Sequence, residues 1–266
     1  MSEPERLVVA DPEAAALEAA GRIADILSDA VKARGAAHWV TTGGSASLGT
    51  YLRLAAAPLR DAIPWPGVEV WWGDDRFVPR DHPLSNVKPF DDILLGIGEA
   101  EEGTAGIERG VPLLIDHLHP FRTTEAIGRG RGIDWCAAAL ADDLRAADLE
   151  QADGWPVFDV LLLGIGGDGH LMSVFPGSPA LDSPELAMAI PAPTHIEPHV
   201  ARVTLNPAII GAARHVLVVV QGADKAPAMA QVFGPVIDPR RWPAQLARIG
   251  GASWILDEAA ASKLTG

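Results

Sequence analysis

Cysteine is nearly absent from this chain: Cys136 is the only one in 266 residues. A single thiol cannot form an intrachain disulfide, and a Cys-rich structural zinc site is excluded with it. Basic residues are also scarce, with 21 Lys and Arg against 35 Asp and Glu, a net charge of −14. Such a chain has no basic field to neutralise phosphates, which argues against nucleic acid as a general partner. A small anionic ligand would have to be held by local cations. No uninterrupted apolar run approaches ~20 residues, so no membrane span is expected. The start, "MSEPERLVVA", lacks a basic region followed by an apolar core and is not expected to be a signal peptide. What is present is apolar residue in quantity, 48 % of the chain, enough for a sizeable core and against disorder. No repeat, linker or low-complexity stretch divides the sequence. It reads as one domain over 1–266, soluble and in a reducing, cytoplasmic setting.

Strand and helix patterns alternate. "RLVVA" (6–10) reads as a strand, and residues 11–34 as a helix started at Asp11-Pro12. "AAHWVTT" (36–42) is a strand, "GGSAS" (43–47) a turn and 48–59 a helix. "GVEVWWGDD" (67–75) is a strand ending in acids, and 82–97 a helix entered through Pro83. Residues 98–132 are rich in Gly, Glu and Arg, with a short strand at "VPLLI" (111–115) and a surface loop at "GRGRG" (128–132). Residues 134–150 form a helix, and "VFDVLLLGI" (157–165) has the continuous apolar run of a central parallel strand. Strands at 199–205 and 214–220 and a helix at 223–233 complete the series. The expected fold class is α/β, a mostly parallel, doubly wound, Rossmann-like sheet. In such sheets ligands bind beyond the carboxyl ends of the strands. Four groups fall there: Gly43-Gly44-Ser45, Asp74-Asp75-Arg76, Asp168-Gly169-His170 and Gln221 to Lys225.

Each group has a chemical reading. Gly164, Gly166 and Gly169 spell G-x-G-x-x-G, but a dinucleotide site needs a long helix after the turn, and Pro176-Gly177 follows too soon. Gly43-Gly44-Ser45 leads from a strand into a helix, so it is either an ordinary serine-capped turn or an anion site at a helix N-terminus. Arg76 is either a surface ion pair or a clamp for phosphate or carboxylate. Lys225 stands in the first turn of a helix, where a cation wants an anion beside it. The spacing of His117 and His119 suits a metal on a strand, but no third ligand is evident. "HIEPH" (195–199) is not H-E-x-x-H, and Pro198 would break the helix that motif needs.

Taken in order, "TTGGSASLGTY", "WWGDDRFVPRDHPLSN", "LLGIGGDGHLMSVFPGSPAL" and "RVTLNPAIIGAARHVLVVVQGADKAPAM" resemble the 6-phosphogluconolactonase family of the pentose phosphate pathway. That family shares a wider sugar-phosphate fold with glucosamine-6-phosphate deaminase and ribose-5-phosphate isomerase. The resemblance runs from about Val40 to Phe233, with a weaker tail at 253–261. This chain has Asp74-Asp75-Arg76 where the family often has Asp-Glu-Arg, and Leu171 where a small polar residue often follows the Gly-His pair. Its 91–132 segment is longer than usual.

The resemblance implies hydrolysis of 6-phospho-D-glucono-1,5-lactone to 6-phospho-D-gluconate, with His170 as the general base that activates water. Asp168 would orient the imidazole or bind a sugar hydroxyl, and the spacing leaves both open. Asp75 is a further catalytic candidate. Gly43, Gly44, Ser45, Arg76 and Lys225 would anchor the phosphate, with Arg202 in a lesser role. Asp74, Asn86 and Gly169 complete the expected binding set. The reaction calls for no metal or organic cofactor. The expected partner is a small sugar-phosphate lactone, not nucleic acid or membrane, and the expected state is a monomer or weak homodimer. Two alternatives are an isomerase or amino-sugar-phosphate deaminase on the same fold, and a non-catalytic sugar-phosphate-binding protein. The deaminase pattern would carry an Asn-Glu pair where this chain has Val174 and neighbours, which counts against it.

Overall fold

The computed structural model describes residues 3–96 and 110–264. Along them run strands β1 (Glu5–Val9), β2 (Ala37–Thr41), β3 (Val68–Trp72), β4 (Asp74–Arg76), β5 (Leu118–His119) and β6 (Gln151–Ala152). These are followed by β7 (Trp155–Pro156), β8 (Val160–Gly164), β9 (Ala187–Ile190), β10 (Arg202–Leu205), β11 (His215–Val220) and β12 (Ala252–Asp257). Seven of them form the central sheet in the order β1-β12-β11-β8-β2-β3-β5, with every pairing parallel.

The chain builds outward from β2 through β3 to β5. It then returns to the other side of β2 and builds outward again through β8, β11 and β12. The order therefore reverses between β2 and β8, the place where an open parallel sheet leaves a crevice. The ladder there covers only Trp39↔Val160 and Val40↔Leu161.

The local chemistry accounts for most of these elements. Helix α1 (Pro12–Arg34) starts where Asp11 Oδ1 accepts the Ala14 amide at 2.8 Å, with Pro12 in the first turn, and ends at the left-handed Gly35. It buries Ala20, Ile23 and Leu27 and packs on the sheet through β2, β11 and β12, while Ala16 meets Gly49 of the helix Ser45–Leu54. Fully buried Trp39, Trp72, Tyr51 and Phe90 pack edge-to-face on one side of β2 and β3.

Several sequence expectations give way. The strand expected over 67–75 breaks at Gly73, whose amide donates to Thr41 O and whose carbonyl accepts from Leu205. Beyond the break, β4 joins β10 and β9 in a separate antiparallel sheet. The strand expected at 199–205 is thus the middle of that small sheet, and β9 was not anticipated at all. The helix expected over 82–97 is instead turns up to Val87, then Lys88–Phe90 and a π-helical turn at Asp91–Leu95. Ser85 and the Asn86 amide are drawn to the Asp75 carboxylate, which takes them out of helical geometry. Residues 111–115 form no strand; the pairing falls at β5. The 98–132 expectation lies partly outside the described residues. No described helix is long and apolar enough to cross a membrane.

Candidate active site

A cavity of about 290 Å³ opens beyond the carboxyl ends of β2, β8 and β11. Gly43, Gly44 and Ser45 line it from the end of β2, and Asp74 and Arg76 from β4. His170 reaches it from the turn after β8, Arg202 from β10, and Lys225 from beyond β11. All four groups singled out in the sequence contribute, although they are spread over nearly 200 residues.

Helix α2 (Ser45–Leu54) points its N-terminus at this space. Gly44 is its N-cap and no side chain caps it, so the serine-cap alternative does not hold. The Ser45 and Ala46 amides belong to the unsatisfied first turn of α2 on the cavity wall. Gly43 is needed for close approach: a Cβ there would stand 2.0 Å from Asn86 Oδ1. Asn86 in turn donates Nδ2 to Asp74 O at 2.9 Å and Oδ1 at 3.0 Å, while Ser173 Oγ donates to Asp74 Oδ2.

Two cations face each other across the small sheet, because Arg76 and Arg202 are direct partners in the β4–β10 register. Like charges opposite one another are unfavourable unless an anion sits between them. Burial, and then the Arg76 guanidinium, press the Arg202 pKa down. Arg76 Nη1 donates to Leu84 O at 2.7 Å and Arg202 Nη2 to Pro198 O at 3.0 Å, yet the Nε of each is buried without a partner. Asn86 Oδ1 is buried and unpartnered too. Lys225, at the start of Ala226–Val232, pairs with the exposed Asp224 at 2.9 Å.

β8 runs into a tight turn closed by the Gly166 amide on His170 O at 2.8 Å, and no helix follows. The helix that a dinucleotide fingerprint requires is therefore missing. The turn instead presents one imidazole. His170 Nδ1 meets Asp168 Oδ1 at 2.5 Å, and the ring rests on Phe175 with centroids 4.6 Å apart. That bond leaves Nε2 unused, and His170 lines the cavity. Asp168 also takes His195 Nε2 on Oδ2 at 2.8 Å. Burial opposes ionisation of Asp168, but its bonds with His170 and His195 outweigh that and hold its carboxyl below the usual range.

Three expected site residues do not line the cavity. Asp75 is fully buried, with its carboxylate on the Arg76 and Asn86 amides and Ser85 Oγ. Burial raises that carboxyl to about 7 against the pull of those amides. Asp75 shapes the 85–86 turn and is out of reach of a ligand in the cavity. Gly169 lies on the back of its turn against Trp242. Asp168 is bonded to His170, which lines the cavity. His195, Ile196 and Glu197 were not foreseen as site residues; the last two line the cavity, as does Gln221 from the expected group Gln221 to Lys225. His117 and His119 both turn to Glu69, at 3.5 and 2.7 Å, away from this site.

Gly166 has no room for a side chain: a Cβ would stand 2.0 Å from His170 Nδ1. Gly166→Ala should therefore turn the imidazole out of position. A misplacement of this order lowers turnover by up to ~10²-fold, while the core, which Gly166 does not enter, keeps the fold. Steady-state kinetics alongside thermal melting will check this.

A parallel doubly wound sheet with arginines, a lysine and one imidazole around a cavity at its switch point defines a class, proteins that bind or act on small anions there. The comparisons narrow it. The family model "Glucosamine-6-phosphate isomerases/6-phosphogluconolactonase" matches residues 10–255. The chain is 36 % identical to a 6-phosphogluconolactonase of Streptomyces coelicolor, over 99 % of this chain and 96 % of the relative. It is 35 % identical to that of Mycobacterium tuberculosis, over 91 % of each. A solved structure of 6-phosphogluconolactonase from Trypanosoma brucei superposes with a TM-score of 0.82 at 26 % identity, covering both chains in full. A monomeric glucosamine-6-phosphate deaminase, 16 % identical with a TM-score of 0.74, shares the fold. The chain belongs to the glucosamine-6-phosphate isomerase/6-phosphogluconolactonase family.

Proposed function

We propose that this chain hydrolyses 6-phospho-D-glucono-1,5-lactone to 6-phospho-D-gluconate, with His170 as general base. The observation that carries the reading is the His170–Asp168 pair beside Arg76, Arg202 and Lys225 at one cavity. The names of the relatives support the same substrate.

The phosphate dianion sits among the three cations and the first amides of α2, where the helix dipole also favours it. In this reading the lactone ring lies toward His170, which lines the same cavity. With Nδ1 bonded to Asp168, Nε2 takes a proton from water as the water oxygen bonds to C1. Asp168 stabilises the imidazolium that forms. The tetrahedral oxyanion then collapses, the bond from C1 to the ring oxygen breaks, and Nε2 returns the proton to that oxygen. The new carboxyl group loses its proton to solvent. A δ-lactone is already reactive, so this route calls for no covalent intermediate, metal or organic cofactor. Asp74, fixed by Asn86 and Ser173, is placed to accept a sugar hydroxyl. A dianionic sugar phosphate stays inside the cell that makes it, which fits a cytoplasmic enzyme.

The test generates the lactone in place from glucose 6-phosphate with a dehydrogenase and follows acid release at slightly acidic pH, where spontaneous hydrolysis is slow. Acid release well above background, first order in protein, is expected. A rate equal to background would remove the reading.

A further inference from the structure

The Asp168 carboxylate carries two imidazoles, and the hydrolytic scheme uses one. Oδ1 takes His170 Nδ1 at 2.5 Å and Oδ2 takes His195 Nε2 at 2.8 Å. A carboxylate held on both oxygens cannot rotate without breaking one bond, so what holds Oδ2 also aims Oδ1. His195 stands on the segment between β9 and β10. The next two residues, Ile196 and Glu197, line the cavity. Phe175 is common ground: His195 meets its ring edge-on at 5.8 Å, His170 lies at 4.6 Å, and the Arg202 guanidinium sits over it at 5.5 Å.

We propose that His195 is a positioning residue for the reaction: it locks Asp168, ties the 191–201 segment to the base, and makes the basicity of His170 depend on the charge of a second imidazole. The kinetic consequence rests on the lactonase reading; the coupling of the two imidazoles does not. When His195 takes up a proton, its charge competes with the His170 imidazolium for a single carboxylate. His170 is then protonated less readily and remains a base to lower pH. Without His195, the carboxylate serves His170 alone, and the acidic limb of activity moves to higher pH. The other charges around the pair are Glu197 and His199 on the same segment, Arg202 from β10, Arg76 from β4 and Lys225 from beyond β11. Arg241 lies over Trp242 behind the turn. Asp74 is already engaged by Ser173 and Asn86. Asp168 is thus the anion bonded to both rings.

The experiment compares pH profiles of kcat/KM for the wild type, His195→Ala, His195→Gln and His199→Gln. His195→Ala should raise the acidic limb by about half a pH unit, from a half-exposed pair of modest strength. Its kcat at neutral pH should fall about threefold. Glutamine can still donate to Oδ2 but cannot take a proton, so His195→Gln should recover the neutral kcat and keep the displaced limb. His199→Gln, on the same segment without a contact to Asp168, should match the wild type. NMR titration of the imidazoles reads the coupling without turnover: the His170 midpoint should rise in His195→Ala. A wild type inactive on the lactone would count against the functional reading, and the NMR shift would still decide this one. An unmoved His170 midpoint, or a His195→Ala variant that only melts lower with its acidic limb in place, would overturn the proposal.

Discussion

His170→Asn is expected to lose at least ~10²-fold in kcat, the lower range for a removed general base. Asparagine keeps a similar shape and can still hydrogen-bond to Asp168, so the turn stays closed by its backbone bond from Gly166. It has no basic nitrogen near pH 7. The side chain is 17 % exposed and lies against Phe175 at the turn, so some packing is lost. A destabilisation of about 1 kcal/mol lowers the melting temperature of a domain this size by about 2–4 °C. If His170 only packed within the turn, the pattern would reverse, with turnover per folded molecule preserved and a larger fall in melting temperature.

Loss of the cations is expected to act on binding instead. Arg76→Ala, Arg202→Ala and Lys225→Ala should each raise KM tenfold or more with kcat little changed, since a hydrogen bond to a charged group contributes about 1.5–3 kcal/mol. In a chain of net charge −14 the general field repels a dianion, so the local cations must outweigh it. Lys225→Ala is the cleanest of the three because its partner in the structure is the exposed Asp224. Arg202 is almost wholly buried and its strand is the centre of the small sheet, so its removal will also lower stability. Unphosphorylated gluconolactone should be a poor substrate for the wild type and should discriminate little between wild type and Lys225→Ala. Equal turnover of the two lactones by the wild type would contradict the assignment of these cations.

The sheet and most of the named cavity-lining residues were legible in the sequence because both rest on short-range rules. Apolar strands followed by Gly43-Gly44, by Asp74 to Arg76 and by Gly166 to His170 mark carboxyl ends, and carboxyl ends of parallel strands hold ligands. Where the structure departs from these rules, the deciding contact is distant. His195 finds Asp168 across 27 positions, and nothing near either residue announces it. The 82–97 helix was lost to bonds between Asp75 and the 85–86 turn. β9 is a four-residue strand that exists through its pairing with β10. Asp75 is a different kind of error. Side chains alternate along a strand, so Asp74 and Arg76 share a face of β4 and Asp75 takes the other. That rule was available in the sequence, but it needed knowledge that β4 is a strand of its own after the break at Gly73.

In the proposed reaction, proton transfer falls to His170 and phosphate capture to the cations of the same cavity. The most direct measurement is the steady-state kcat and KM of His170→Asn and Lys225→Ala on the same lactone generated in place. The account predicts a crossing pattern: His170→Asn lowers kcat by ~10²-fold or more and leaves KM near wild type, and Lys225→Ala raises KM tenfold or more and leaves kcat. A His170→Asn enzyme with near wild-type kcat would contradict it.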